Sequence, residues 1–258
     1  MIIAMPSSIP FDRIAERYDV TRGGEGRARH TAAAFEPWLV PGPIIELGVG
    51  TGLISAALAT EERQPVGIDL ALPMLTRAAD RLPGRVVQGD VLATPFRPRA
   101  AAVVVAVHVL HLVGDLEGAV AAAATLLRPG GRFLISGVDG DRQSDDELAA
   151  LDRDVSVRLR PIRPPTGDEI VDIARTHDLR CLHDGHMPRR TFTQSPASAA
   201  GLLESRAWSW CWELSDDVWA AEIVPVINGL RALPDPERRR KRWIEWRYLV
   251  LEASEPAS

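Results

Sequence analysis

Three acidic residues stand where short apolar runs end, and they are the first candidates for ligand binding. Glu46, Asp69 and Asp90 are 23 and 21 residues apart in the sequence. One strand and one helix fill such an interval, which predicts that the three carboxylates lie side by side at one edge of a sheet. A buried carboxylate needs a cationic or N–H partner, so this edge suits a ligand that carries an ammonium group or hydroxyl groups.

A run of alternate glycines follows the first of these acids. Gly48, Gly50 and Gly52 lack side chains, which allows a tight turn and lets backbone N–H groups at a helix N-terminus approach a ligand. A dinucleotide site usually has G-x-G-x-x-G, but the sixth position here is Leu53. Because Glu46 would also repel a diphosphate, the sequence disfavours a nicotinamide-dependent oxidoreductase.

The elements that must position these residues alternate along the first half of the chain. Apolar runs and helical patterns of about ten residues predict an α/β fold with a doubly wound sheet. The expected strands end near Leu47, Asp69, Asp90, Val107 and Ser136, with two more near residues 179–186 and Trp243–Leu251. We therefore expect a mostly parallel, seven-stranded, Rossmann-like sheet with a helical cap inserted before its last strand.

The sequence predicts one domain, spanning residues 1–258. Residues 1–40 would form N-terminal helices over the ligand, and residues 41–140 the core that binds it. Residues 141–258 would supply the remaining strands, with the cap at about 194–235. This insertion is too apolar to be a linker, so we expect it to cover the carboxyl end of the sheet, where ligands bind in such folds.

Local signals mark several helices in the second half of the chain. Ser144 and Thr166 each precede a glutamate by three positions, which predicts two capping boxes. A later helix near residues 215–230 contains Pro225 and should bend there.

Composition excludes several classes of protein. The chain is 46% hydrophobic and 25% charged with a net charge of -5, which is typical of a globular protein and unfavourable for nucleic-acid binding. Its longest apolar run, residues 100–113, is shorter than the ~20 residues that span a bilayer. The N-terminus lacks the pattern of a signal peptide, and two cysteines make no disulfide framework. We expect a cytoplasmic protein with no membrane partner.

Four motifs together resemble one family. Glu46–Gly52 resembles the first motif, E-x-G-x-G-x-G, of the class I S-adenosylmethionine-dependent methyltransferases. Asp69–Leu75 is similar to the D-x-S-x-x-M-L of that family, with alanine where serine is usual. Leu127–Gly131 resembles its L-x-P-G-G stretch, and Phe11–Arg22 resembles its F-D-x-x-A-x-x-Y-D-x-x-R stretch. The resemblance implies S-adenosyl-L-methionine as the cofactor.

For the adenosine end of the cofactor, the resemblance implies a set of contacts along the second and third strands. Asp69 would accept hydrogen bonds from the ribose hydroxyls. Asp90 would accept one from the adenine amino group, while the backbone N–H of Val91 meets a ring nitrogen. Leu70 and Met74 would lie on the two faces of the adenine.

For the methionine end, the resemblance points to the N-terminal segment and the glycine turn. Tyr18 and Arg22 would close over this end of the cofactor. Gly48 and Gly50 would approach it through their backbone, and the Glu46 carboxylate suits its ammonium group.

Two histidines follow the fourth strand, close to where the methyl donor would lie. A histidine with a pKa near about 6.5 could remove a proton from an attacking hydroxyl, phenol or amine. His108 leaves the strand directly at the expected cleft and is a candidate general base. His111 is a second candidate, although it could instead satisfy backbone groups in a tight turn.

Three functions fit these residues. The first is a methyltransferase that acts on a small apolar or aromatic metabolite, for which the tryptophans of the insertion could line a pocket or simply pack. The second is an S-adenosylmethionine-binding protein or pericyclic catalyst that transfers no methyl group. The third is the disfavoured oxidoreductase. We expect no metal at Cys181, His183 and His186, and no nucleic acid at the basic run Arg238–Arg242.

Overall fold

The computed structural model describes residues 18–19, 23–159, 163–212 and 214–254. The chain divides into two compact units. The first contains the residues up to Gly140, then Pro164–Met187, then those from Trp246 onward. The second consists of Asp141–Arg163 and Pro188–Glu245, so it begins well before the predicted cap.

The described residues contain ten strands. They are β1 (Ile44–Leu47), β2 (Val66–Asp69), β3 (Val86–Gln88), β4 (Ala101–Val107), β5 (Leu127–Ser136), β6 (Arg142–Gln143), β7 (Leu179–His186), β8 (Arg190–Gln194), β9 (Arg240–Glu245) and β10 (Arg247–Ala253). Seven strands form the sheet of the first unit in the order β3-β2-β1-β4-β5-β10-β7. The second unit has a three-stranded sheet in the order β6-β9-β8.

Helices connect these strands. The α-helices are α1 (Gly24–Phe35), α2 (Leu53–Leu58), α3 (Leu72–Arg81), α4 (Leu116–Leu126), α5 (Glu147–Arg158), α6 (Gly167–Thr176), α7 (Pro196–Glu204), α8 (Asp216–Val218) and α9 (Val224–Ala232). Short 3-10 helices cover Glu36–Trp38 and Ser209–Cys211, and a π-helical turn covers Trp219–Ile223. No helix in the described ranges has the length and hydrophobicity needed to cross a bilayer.

The sheet of the first unit confirms the predicted α/β architecture. β3, β2, β1, β4 and β5 are parallel, whereas β10 runs antiparallel between β5 and β7. The first six residues of β4 are fully buried, as expected for a central strand covered on both faces. The carboxyl ends of β1, β2, β3 and β4 therefore share one edge, where Asp69 ends β2 and the glycine turn, Asp90 and His108 follow their strands.

The final predicted strand is wrong in one respect. Trp243–Leu251 was expected to form a single strand, but β9 and β10 are separate strands of different sheets. The break falls at Trp246, whose carbonyl accepts a hydrogen bond from the N–H of Met187. The alternating pattern continues through this residue, so periodicity alone does not mark the break.

One of the two predicted capping boxes is confirmed. Thr166 and Glu169 exchange side-chain and backbone hydrogen bonds at the start of α6. Ser144 does not cap a helix, because Asp146 is the N-cap of α5. The Ser144 hydroxyl instead accepts a hydrogen bond from the N–H of Trp243 in β9.

The second unit has its own apolar core. Buried side chains of α5, α7 and α9 pack together there with Trp210. Trp208, Trp212 and Trp219 are half-buried against that core. The π-helical turn lies directly before the turn that contains Pro225, a residue that lacks a backbone N–H, so the helix adjusts by changing its hydrogen-bond spacing.

Candidate functional site

The glycine turn after β1 leaves open space at one position. Gly48, Gly50 and Gly52 have φ angles of 68°, 54° and 80°, which favour glycine. A Cβ on Gly48 would lie 2.3 Å from Val109, and one on Gly52 would lie 3.1 Å from Ala78. At Gly50 such an atom would have no described heavy atom within 4 Å. Gly48 and Gly52 are therefore needed for packing, whereas Gly50 borders a space that a ligand could fill.

Asp69, at the end of β2, faces this turn. Its Oδ2 accepts a hydrogen bond of 2.8 Å from the N–H of Gly50, and its Oδ1 accepts one of 2.9 Å from the N–H of Ala71. Burial raises the pKa of this carboxyl, while the hydrogen bonds oppose the rise. Each oxygen keeps a further lone pair, so the carboxylate can also accept hydrogen bonds from a ligand.

Glu46 lies in the core and not at the rim. The side chain is only 2% exposed, and one carboxylate oxygen accepts hydrogen bonds from the backbone N–H and the hydroxyl of Ser55 in α2. Burial raises its pKa to about 8, and the negative charge of Asp69 acts in the same direction. Glu46 was predicted to lie beside Asp69 and Asp90 at the rim of the sheet; that placement is corrected, because its hydrogen bonds to Ser55 hold it in the core.

The end of β3 lies beside Asp69. The N–H of Gly89 donates to the carbonyl of Asp69, which brings Asp90 to the same edge. Asp90 Oδ1 accepts a hydrogen bond of 2.9 Å from the N–H of Leu92. Val91 is buried, whereas Leu70 is 46% exposed and offers an apolar surface at this edge.

Met74, predicted to lie on one face of the adenine, is buried in the structure. The side chain is 1% exposed and packs with Ala71 beneath Tyr18. Tyr18 therefore contacts the buried residues at the start of α3, close to the end of β2. Arg22, predicted to act with Tyr18, lies outside the described residues.

Arg81 contributes contacts that the sequence did not suggest. Its guanidinium donates a hydrogen bond of 2.6 Å to the carbonyl of Thr51 and one of 2.7 Å to Oδ2 of Asp19. The Thr51 hydroxyl donates a hydrogen bond of 2.6 Å to Oδ1 of Asp19. These three residues, named here the Arg81 cluster, join the segment of Tyr18 to the glycine turn.

His108 follows β4 in a strained conformation. Its φ angle is 54°, unusual for a residue with a side chain, and its N–H donates to the carbonyl of Ser136 at 2.8 Å. A Cβ on Gly137 would lie 2.5 Å from the ring Nδ1, so the imidazole packs closely on that backbone. His111 is half-buried in the next turn, where the N–H of Leu112 donates to the carbonyl of Val109.

Comparisons with known proteins identify the family of this chain. A family model described as a methyltransferase domain matches residues 45–135. A ubiquinone/menaquinone biosynthesis C-methyltransferase of Syntrophotalea carbinolica is 30% identical over 236 residues, which cover 87% of this chain and 93% of that protein. The chain belongs to the class I S-adenosylmethionine-dependent methyltransferases.

Other relatives of this methyltransferase match a shorter region. A demethylmenaquinone methyltransferase of Thermus thermophilus is 34% identical over 139 residues, or 48% of this chain and 62% of that protein. The chain spans 62–64% of the length of the first curated relatives it matches. The crystal structure of the cyclase SpnF has a TM-score of 0.63 at 15% identity, covers 96% of this chain and 94% of that one, and shows the shared fold.

Other polar groups of the methyltransferase have structural partners. His183 lies between Trp38 and Tyr248, with ring centroids 5.2 and 4.4 Å away, and burial lowers its pKa. The His186 ring nitrogen hydrogen-bonds the carbonyl of Gly140 at 2.9 Å. No group of His, Cys, Asp and Glu suited to a metal ion occurs among the described side chains.

Part of the basic run Arg238–Arg242 is turned inward within the second unit. The Arg242 side chain is buried and donates to Asp146 at 2.8 Å and to Gln194 at 2.6 Å. Arg240 pairs with Glu147. Because these ion pairs engage charges that a nucleic-acid surface would need, they disfavour nucleic-acid binding at this run.

Proposed function

We propose that this methyltransferase binds S-adenosylmethionine at the carboxyl edge of β1, β2 and β3 and transfers its methyl group to a small aromatic metabolite. The open space at Gly50, bordered by the Asp69 carboxylate, is the observation that carries the proposal. A ligand there would meet a backbone free of side chains and an acceptor for hydroxyl groups. These residues fit an adenosyl amino acid.

The adenosine part would lie along β2 and β3. Asp69 already receives the N–H groups of Gly50 and Ala71, which fix its carboxylate in place for the ribose hydroxyls. Leu70, which is exposed, would cover one face of the adenine. Asp90 and the N–H of Val91 would meet the edge of the ring.

The methionine part would lie between the glycine turn and the N-terminal segment. Gly48 and Gly50 would let the backbone approach it, and Tyr18 would cover it, with Arg22 as a further contact predicted from the sequence. Glu46 would support this part of the site indirectly, because its hydrogen bonds to Ser55 hold β1 against α2.

Once bound, the cofactor supplies a methyl group already activated by a positively charged sulfur. The protein then needs to align the acceptor and exclude water, which can lower a barrier by roughly 7–11 kcal/mol. His108, whose backbone N–H is held at the end of β4 by the carbonyl of Ser136, would take the proton that the acceptor loses. His111 would serve as the alternative base.

The proposed acceptor class is supported by the names of two relatives and by an acid-base argument. The two relatives described above are named for menaquinone and ubiquinone biosynthesis. The hydroquinone form of such a ring has phenolic groups that a histidine can deprotonate, which makes the ring carbon nucleophilic. We infer a phenolic or quinol acceptor for this methyltransferase.

A labelled-methyl assay tests the proposal. The purified protein is incubated with S-adenosylmethionine carrying a deuterated methyl group and with a panel of short-chain demethylated quinols, simple phenols and amines. We expect mass spectrometry to show label on a quinol or phenol, and far less label with the Asp69→Ala variant at a cofactor concentration below saturation. Label on amines alone would overturn the acceptor class. An acceptor that reacts without gaining methyl would instead support a pericyclic catalyst.

A further inference from the structure

The Arg81 cluster joins three distant parts of the sequence at the glycine turn. Arg81 ends α3, Thr51 lies in the turn, and Asp19 belongs to the N-terminal segment. The Arg81–Asp19 ion pair is partly shielded from water, with side chains 30% and 16% exposed. Charge-assisted hydrogen bonds in such surroundings are stronger than those of a fully exposed pair.

The position of the cluster gives it more than a packing role. Thr51 lies between Gly50, which faces the open space, and Gly52, which is the N-cap of α2. Both its carbonyl and its hydroxyl are fixed by the cluster. Tyr18, the neighbour of Asp19, packs beside the end of β2 on Ala71 and Met74. The cluster therefore fixes the position of Thr51 in the turn relative to the segment that carries Tyr18.

We propose that Arg81 is a positioning residue for the cofactor. Before the cofactor binds, Arg81 holds the segment of Tyr18 and Asp19 against the glycine turn. The proposal rests on the proposed function of this edge. When only a fraction of the molecules has a competent site, the apparent affinity falls by that fraction. Loss of the Arg81 cluster should thus weaken cofactor binding without changing the methyl-transfer step.

A double-mutant cycle tests this role with Arg81→Met, Asp19→Asn and the combined variant. Calorimetry with S-adenosylhomocysteine should show binding about tenfold weaker in Asp19→Asn, and at least as weak in Arg81→Met, which also loses the contact with the Thr51 carbonyl. The combined variant should be little weaker than Arg81→Met, because that single variant already lacks the ion pair with Asp19. Arg81→Lys should recover only part of the affinity. The lysine ammonium keeps the positive charge, but it cannot bridge both acceptors as a guanidinium does.

Two further readouts separate positioning from general stability. In the cofactor-free protein, hydrogen–deuterium exchange of a peptide containing Tyr18 and Asp19 should become faster in Arg81→Met. In turnover assays the KM for S-adenosylmethionine should rise while kcat at saturation stays unchanged. Arg175→Met is the matched control, because it removes an arginine from a solvent-exposed ion pair of α6 and should alter none of these quantities.

The outcomes are distinct. Variant affinities for S-adenosylhomocysteine within twofold of the wild type, or additive losses in the combined variant, would overturn the positioning role. The proposed function would still stand in that case, provided that the wild-type protein binds S-adenosylhomocysteine. A wild-type protein that binds no S-adenosylhomocysteine would refute the proposed function and, with it, this role. Should Arg81→Met fail to fold, Thr51→Val removes the hydroxyl contact but keeps the ion pair, and about threefold weaker binding is then expected.

Discussion

The backbone N–H of Gly50 donates a hydrogen bond of 2.8 Å to the Asp69 carboxylate, which joins the glycine turn after β1 to the end of β2. The bond fixes the Asp69 carboxylate beside the backbone of Gly50. A ligand in that space would meet the backbone of one strand end and the charge of the next. The proposed cofactor site is built around this pair.

Replacement of Asp69 tests the acceptor side of the pair. Asp69→Ala should weaken S-adenosylhomocysteine binding by about 10- to 100-fold, because the ribose hydroxyls lose their charged acceptor. Titration calorimetry measures the change. Asp80→Ala, on an exposed position of α3, serves as the control and should leave the affinity unaltered. Equal affinity of wild type and Asp69→Ala would show that the ribose does not lie at β2.

Two glycine variants should separate packing from binding. Gly50→Ala places a methyl group in open space, so only the backbone strain of about 1–2 kcal/mol reduces stability, while cofactor binding is lost. Gly48→Ala adds an overlap with Val109, where the new atom would lie 2.3 Å away, and should lower the melting temperature by about 10 °C or more. Thermal unfolding and calorimetry on both variants provide the comparison. Normal binding by Gly50→Ala would contradict the account.

Glu46 should make stability depend on pH. In the folded protein its carboxyl stays protonated up to about pH 8, whereas its ordinary pKa is 4.5. Stability from this group is therefore complete below the unfolded pKa and declines as the pH rises toward the folded one. Between pH 5 and pH 8 the free energy of unfolding should fall by an amount on the order of a few kcal/mol.

Glu46→Gln isolates that effect. The amide has the same shape, its oxygen can still accept from Ser55, and it does not titrate. Urea unfolding at several pH values should give a flatter profile than the wild type, with the variant the more stable protein at alkaline pH. Parallel pH profiles for the two proteins would show that burial of Glu46 does not shift its pKa as described.

The two histidines near β4 can be distinguished by asparagine substitutions. Asparagine tolerates the positive φ angle of His108 better than most residues, so His108→Asn should fold and bind cofactor normally. With a phenolic acceptor, its kcat should fall by about 10²- to 10⁴-fold if His108 is the general base. His111→Asn should retain most activity. The reverse pattern would assign the base to His111.

The sequence was sufficient to predict the sheet and the position of the turn. Spacing alone placed Asp69 and Asp90 at neighbouring strand ends, and the glycine pattern located the bend after β1. These features depend on residues close together in the chain, where hydrophobic periodicity and glycine have strong local effects. The buried β4 and the capping box of Thr166 were predictable for the same reason.

Features that depend on distant side-chain partners were not predictable. The sequence predicted Glu46 at the rim of the sheet, but its hydrogen bond with Ser55 holds it in the core. Arg81 contacts Asp19, which lies 62 positions away in the sequence. The burial of Met74 depends on Tyr18 in a similar way. A serine and an arginine on helices carry no signal of these roles, because their partners are set by the packing of the folded chain.

Calorimetric titration of the wild-type protein with S-adenosylhomocysteine tests the central claim most directly. We predict saturable binding of one ligand per chain, which Gly50→Ala abolishes although that variant stays folded. Absence of heat with both S-adenosylhomocysteine and S-adenosylmethionine, together with binding of a nicotinamide dinucleotide that Gly50→Ala abolishes, would contradict the account.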